Sequence, residues 1–356
     1  MQLVVEAPIN SLSFGNVTYN LLRQFWRRGV DVIWFPLNGN ADFKSFDKIE
    51  PEFLAWLNKS AQNAVKNVKK DIPTLKMWHL NGSQSRITSK QLLYTFYELD
   101  EPTQEEINLC NLQDETIFSS SYSASKFNCK NIPIGFDEDF YKINKQHLSQ
   151  NVVHFGLMGK FEKRKHTEKI IKLWLKKYGN NNNYLLSVCV TNPFIDPKEM
   201  NLMLGNCMEG KRYTNINFLP YLNTNSEVND FLNSIDIDLT GLSGAEGWNL
   251  PAFNATCLGK WSIVLNETSH KDWANESNSI LVESSGKEEA YDGKFFQKGA
   301  PFNQGNIYNW DSDIVSQAMD TAVSKKGQIN SSGEDLKNEF SYEKTIDALI
   351  KRIEQL

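Results

Sequence analysis

Cysteine is scarce in this 356-residue sequence and unpatterned where it occurs. Cys110, Cys129, Cys189, Cys207 and Cys257 are odd in number and include no C-x-x-C pair. They read as buried thiols of a reducing compartment, with neither a disulfide framework nor a redox motif. The five histidines (79, 147, 154, 166 and 270) show no H-x-x-x-H or similar spacing, which argues against zinc. No stretch approaches the ~20 apolar residues of a membrane span. The start, MQLVVEAPINSLSFG, lacks the basic region of a signal peptide, so a cytoplasmic location is expected, with peripheral membrane contact left open. Basic excess is missing too: a net charge of -5 and a pI near 5.7 exclude a general nucleic-acid binder.

Three signatures are also absent or incomplete. No G-x-G-x-x-G occurs, which weakens a dehydrogenase reading. Gly205 to Lys211 has the glycine and lysine spacing of a phosphate-binding P-loop, but Arg212 stands where Ser or Thr should hold magnesium. Asp236-Ile-Asp238 has the form of a manganese-binding D-x-D but falls in or beside an expected strand. No metal is expected.

What is present is an ordinary globular composition, 40% hydrophobic and 23% charged. The aromatic share of 12%, with nine Trp, fits extra core rings first and sugar stacking second. At about 150 residues per domain the length predicts two domains. Strand-like and helix-like patterns alternate in both halves. Leu3 to Ile9 is a short apolar run; Val17, Leu21, Leu22, Phe25 and Trp26 recur at helical spacing, and Gly29 stops the helix. Pro51 opens another helix with Leu54, Leu57, Ala61, Val65 and Val68 on one face. Strands are expected at 73–80, 92–97, 116–120 and 130–133, and Thr103 to Glu106 matches a capping box. After a polar break the alternation restarts: strand 152–157, helix 167–178 ended by Gly179, strand 184–190. A helix N-capped by Ser226, strand 237–239, a helix with Pro251 in its first turn and strand 261–265 follow, and a helix closes the chain from Tyr342. The expected domains are 1–145 and 146–335, with 336–356 a C-terminal helix crossing back to the first.

Two clusters carry chemistry. Residues 241–260, GLSGAEGWNLPAFNATCLGK, read as strand, glycine-rich loop and helix start. Gly241, Gly244 and Gly247 would let the backbone approach a ligand, and the helix N-terminus offers N–H groups to a diphosphate. Glu246 stands ready to accept hydrogen bonds from sugar hydroxyls; an ordinary βα turn is the bland alternative. The second cluster, GLMGKFEKRK, places Lys160, Lys163, Arg164 and Lys165 near a helix start, opposing its dipole. An anionic ligand would offset that penalty, and a solvated basic loop is the alternative.

GKFEKRKH and EGWNLP together resemble the signature segments of GT-B glycosyltransferases, in particular the mostly retaining family four. IFSSSYSASKF and IPIGFDEDF, at 117–127 and 132–140, are similar to the end of that family's first domain. The resemblance implies an α/β fold of two Rossmann-like domains with parallel sheets facing across a cleft. It implies transfer of a sugar from a nucleoside-diphosphate donor, a UDP- or GDP-sugar, to a hydroxyl of a glycan, lipid or small molecule, with no other cofactor. By position, Lys160 and Lys165 would neutralise the leaving diphosphate, with Arg164 beside them. Glu246 matches the first family glutamate, and Ser243, Gly244, Gly247, Trp248, Asn249 and Leu250 belong to the same donor segment. Where the family has a second glutamate, at the nucleotide ribose, this chain has Asn254, which hydrogen-bonds hydroxyls without charge. Gly15 and Asn16 match the loop after the first strand. The base is expected near Thr191, Pro220 and Tyr221. His79 and Glu98 are the acceptor-side candidates. A catalytically silent sugar-nucleotide binder, motivated by Asn254, and a sugar-nucleotide epimerase are the alternatives.

Overall fold

The computed structural model describes residues 1–39, 41–64, 68–143 and 151–356. Val65 of the expected helical stripe, His147 and the expected domain boundary at 145/146 lie outside them. The first half comprises β1 (Gln2–Ala7), α1 (Ser13–Arg27), β2 (Asp31–Pro36), α2 (Pro51–Asn63), β3 (Thr74–Met77), β4 (Gln91–Thr95), α3 (Gln104–Asn111), β5 (Glu115–Phe118), α4 (Ser121–Phe127) and β6 (Lys130–Asn131). Its strands form one parallel sheet in the order β2-β1-β3-β4-β5-β6. Helices cover both faces, so β1 is buried from Leu3 to Ala7 and is apolar throughout that run except at Glu6, which pairs with Lys76. Thr103 caps α3 as expected: its Oγ1 accepts from the Glu106 N–H and the Glu106 carboxylate accepts from the Thr103 N–H at 2.8 Å.

The second half repeats the pattern with β7 (Val153–Met158), α5 (Thr167–Tyr178), β8 (Tyr184–Cys189), α6 (Pro197–Cys207), β9 (Ile216–Phe218), α7 (Asn225–Ser234), β10 (Ile237–Asp238), α8 (Leu250–Cys257), β11 (Trp261–Leu265) and β12 (Ser279–Val282). The sheet, again parallel, runs β12-β11-β10-β7-β8-β9. The cap of α7 differs from expectation. Thr224, not Ser226, starts it, because only Thr224 has a glutamate three residues on to complete a capping box; the Ser226 N–H is taken by Asp47 instead.

The chain then makes a hairpin, β13 (Gly286–Glu289) with β14 (Asn306–Asn309), and three helices, α9 (Ser312–Ser324), α10 (Ser331–Glu339) and α11 (Tyr342–Ile353). The hairpin reaches the first half. Asp100 accepts from the Asn306 N–H at 2.7 Å and from Lys287 at 2.8 Å, while Glu106 accepts from the Asn303 N–H at 2.8 Å. Beneath these bonds Ala290, Phe296 and Ile307 pack with Leu80, Tyr97 and Leu99. Helix α11 lies against α1: Ile346, Leu349 and Ile353 join its core, and Thr345 Oγ1 donates to the Pro133 carbonyl at 2.8 Å. Gly135 is required at this crossing, since a Cβ there would fall 2.1 Å from the Tyr342 nitrogen. Among the described residues no helix is long and apolar enough to cross a membrane.

Candidate active site between the two sheets

The basic segment sits in the turn between β7 and α5. After Gly159, at φ +136°, the chain makes a short 3-10 turn over Lys163–Lys165, and His166 reverses it at φ +53° before α5 begins. His166 Nε2 bonds to the Tyr308 carbonyl at 2.8 Å and so fixes the reversal. The cations opposing the α5 dipole are met by carboxylates of the chain itself. Arg164 pairs with Glu162 at 2.8 Å and with Glu246 at 3.1 Å, and donates to the Ala245 carbonyl at 2.7 Å. Lys165 Nζ pairs with Glu246 Oε1, and Lys160 Nζ with Glu162 Oε1 at 3.0 Å.

Burial alone would raise the Glu246 pKa. Lys165 and then Arg164 overcome it and hold the carboxyl well below the usual carboxylate range. Glu162 is shifted down likewise, against its burial, by Arg164, Lys160 and Lys165. Both glutamates are therefore anions that can only accept hydrogen bonds.

The loop from Ser243 to Asn249 holds Glu246 in place. Gly244 and Gly247 are both required by the packing of the chain. A Cβ on Gly244 would lie 2.4 Å from the Tyr308 carbonyl oxygen, and one on Gly247 2.9 Å from Phe96 Cβ of the opposite half. Asn249 takes the left-handed conformation, φ +66°, just before α8. Its Nδ2 donates to the Thr240 carbonyl at 3.0 Å and to His270 Nε2 at 2.9 Å. The other nitrogen of His270, Nδ1, donates to the Leu265 carbonyl at 2.9 Å. Both ring nitrogens are thus used in the neutral form, and burial pushes the imidazole down to about 4. Asn254, one turn into α8, is buried, and its Oδ1 has no hydrogen-bond partner among the described residues.

A cavity of about 380 Å³ opens between the two sheets, at the carboxyl ends of their strands. Of the residues singled out from the sequence, Asn16, His79, Glu98, Lys160, Arg164, Lys165, Thr191, Tyr221, Glu246, Gly247, Trp248, Asn249, Leu250 and Asn254 line it. Gly15, Pro220, Ser243 and Gly244 do not. Gly15 lets α1 pack onto Asn10, whose backbone nitrogen would lie 2.3 Å from an added Cβ. Pro220 is exposed, and its carbonyl accepts from the Cys189 thiol. Ser243 Oγ and the Gly244 N–H both donate to the Arg164 carbonyl, behind the cavity wall. Tyr221 bridges the halves through its hydroxyl, 2.9 Å from Ser11 Oγ.

The first-half wall is aromatic. Phe14 contacts His79 and Phe96 at centroid distances of 4.3 and 4.5 Å. The His79 ring opens onto the cavity, and the surrounding protein lowers its pKa. Glu98 lies 4.0 Å from Arg164 across the gap. Four residues had been given no role from the sequence. For Glu162 the available signal is an acid amid four cations; Phe96 falls inside the strand expected over 92–97, and only the strand's end at Thr95 frees it to face the cavity. Asp137, buried on the cavity floor, accepts from Asn20 Nδ2 at 2.8 Å and belongs to the quoted IPIGFDEDF segment. His270 gave no local signal, since its partner Asn249 is 21 residues away.

In the D-x-D sequence, Asp236 accepts from the His154 N–H at 2.8 Å, and Asp238 is buried and accepts from the Thr240 N–H at 3.1 Å. Gly205 to Lys211 is the end of α6 and the turn after it. Among the described residues no group of His, Cys, Asp and Glu side chains is placed to hold a metal.

No protein-family model matches the chain, and no curated protein matches its sequence. Solved structures do match. A sucrose-phosphate synthase from Thermosynechococcus elongatus aligns with a TM-score of 0.72 at 12% identity, covering 100% of this chain and 98% of that one. HepE of Anabaena, in complex with UDP-glucose, aligns at 0.68 and 13% identity over 100% of both chains. An α,α-trehalose 6-phosphate synthase from Burkholderia multivorans aligns at 0.65 and 9% identity, over 99% of this chain and 98% of that one. At these identities the likeness is one of fold, and the chain has that fold: GT-B, two Rossmann-like α/β domains with parallel sheets facing across a cleft.

Proposed function

We propose that the chain is a cytoplasmic, metal-independent hexosyltransferase. It moves a sugar from a nucleoside-diphosphate sugar, with a UDP- or GDP-linked donor, to a hydroxyl of a glycan, lipid or small molecule. The observation that carries this is the convergence of Lys160, Arg164 and Lys165 with Glu246 on one wall of an interdomain cleft. The fold's occurrence in a protein crystallised with UDP-glucose supports it.

In this reading Lys160 and Lys165 face the diphosphate and stabilise the charge that develops as it leaves. Glu246, kept ionised, accepts from donor-sugar hydroxyls; Asn254 meets the ribose, and Thr191 and Tyr221 lie toward the base. The bond from the anomeric carbon to the phosphate oxygen breaks and a bond from that carbon to the acceptor oxygen forms on the same face. The acceptor proton passes to the departing phosphate oxygen, so no side chain has to act as base. Closure of the two domains excludes water.

Asn254 favours one second reading, a binder that holds the donor without turnover. Following nucleotide release from UDP-, GDP- and ADP-sugars across an acceptor panel separates the two. Transfer predicts release that depends on acceptor and is lost in Glu246→Ala and Lys165→Ala. Tight binding without release for every acceptor would leave the silent binder, and an isomerised donor would mean an epimerase.

A further inference from the structure

We propose that the acceptor is a neutral glycan or glycoside, bound by an apolar ring face and its hydroxyls, and not a sugar phosphate; this rests on the transferase reading above. The two walls of the cleft differ in chemistry. All of Lys160, Arg164 and Lys165 stand on the second-half wall, where the leaving diphosphate is placed. The first-half wall presents rings instead: Phe14 with His79 at 4.3 Å and Phe96 at 4.5 Å. Beside them is the carboxylate of Glu98, 4.0 Å from its nearest cation and partly open to the cavity.

A pyranose fits such a wall. One of its faces is a patch of C–H groups that packs on aromatic rings, while its edge hydroxyls donate to a carboxylate and exchange hydrogen bonds with an imidazole. The protein packed around the His79 ring lowers its pKa, which disfavours the charged imidazolium that would attract an anion. A phosphate dianion would meet Glu98 in a cleft where water screens little. The start of α1, whose N-cap Leu12 gives no side-chain cap, does attract anions. It lines the same cavity as Lys160 and Lys165, where the transferase reading places the donor diphosphate.

The test is calorimetric. UDP and GDP are titrated first; binding of neither removes the transferase reading on its own. p-Nitrophenyl α-glucoside and glucose 6-phosphate are then titrated into the nucleotide complex, or into the free protein if no complex forms. The aryl glucoside is expected to bind at least about tenfold more tightly, and Glu98→Lys to shift that ratio by about tenfold toward the phosphate. Glu98→Gln, a smaller change for the fold, should shift it the same way by about threefold. Equal or tighter binding of glucose 6-phosphate by the wild type, binding of neither compound, or a ratio unmoved in both variants overturns the proposal.

Discussion

His270 is the point where pH reaches the loop that carries Glu246. Its imidazole is fully buried, donates to Leu265 and accepts from Asn249, so a second proton would set an N–H against the Asn249 amide. Burial moves its pKa from 6.5 to about 4. The unfolded chain takes up this proton near 6.5 while the folded chain resists until about 4. Stability from this group is therefore fully present above the unfolded value and drains away as pH falls through the window between the two. At 1.36 kcal/mol per pH unit, the loss at about pH 5 is about 2 kcal/mol, approaching about 3 kcal/mol below pH 4. Glutamine at 270 keeps both bonds, its amide nitrogen donating to Leu265 and its oxygen accepting from Asn249, but does not titrate. Urea unfolding of wild type and His270→Gln at about pH 7.5 and about pH 5 isolates the effect, since every other titrating group acts in both proteins. The wild type should lose about 2 kcal/mol more than the variant between the two conditions. Equal losses would refute the assignment of His270 as the buried neutral partner of Asn249.

Glu162→Gln removes the carboxylate shared by Arg164 and Lys160, and should cost about 3 kcal/mol by leaving buried cationic charge undercompensated; a urea midpoint within error of wild type would contradict this. Gly135→Ala places a Cβ 2.1 Å from the Tyr342 nitrogen, backbone against backbone, and is expected to cost about 3 kcal/mol or more. Hydrogen exchange should then quicken across 342–353, and unchanged protection there would show that the crossing can shift. Asp100→Ala removes the acceptor of the Asn306 N–H and of Lys287, for about 2 kcal/mol. Exchange should rise in 286–309 but not in 167–178, and a uniform rise would mean that the hairpin is not held separately.

Legibility in the sequence followed how local the cause was. Helix 167–178 and strand 261–265 have the bounds read from their patterns, because an amphipathic stripe and a glycine stop, or a five-residue β-rich run, are self-contained signals. Helix α6 escaped because PKEMNLMLGNC is weakly amphipathic and leaves Leu202 exposed. The β13–β14 hairpin escaped because GKEE carries little strand preference and NIYN is only four residues long; their pairing is secured by the first half, through Asp100 and Glu106. The site divides in the same way. Residue types and order in GKFEKRK and SGAEGWN pointed to one place, and the structure brings Lys160, Arg164, Lys165 and Glu246 together there. That the counter-ions of Arg164 would be Glu162, two residues before it, and Glu246, far along the chain, is a property of the folded loops alone.

In the proposed transferase that pairing changes how the donor's charge is met. Lys160, Arg164 and Lys165 face Glu98, Glu162 and Glu246, so three cations stand against three carboxylates and the cluster has no net charge to offer an incoming diphosphate. Attraction then comes from rearrangement. Arg164 is buried and forked between two glutamates, and Lys165 is tied to Glu246; neither can leave without stranding a buried charge. Lys160 can. Its side chain is 35% exposed, it hangs from the turn after Gly159, and its partner Glu162 keeps Arg164 when the lysine swings away. In the proposed transfer the division of labour follows from burial: Arg164 and Lys165 hold Glu246 in place, Lys165 meeting the diphosphate from a fixed position, and Lys160 is the charge free to follow the phosphate as it departs.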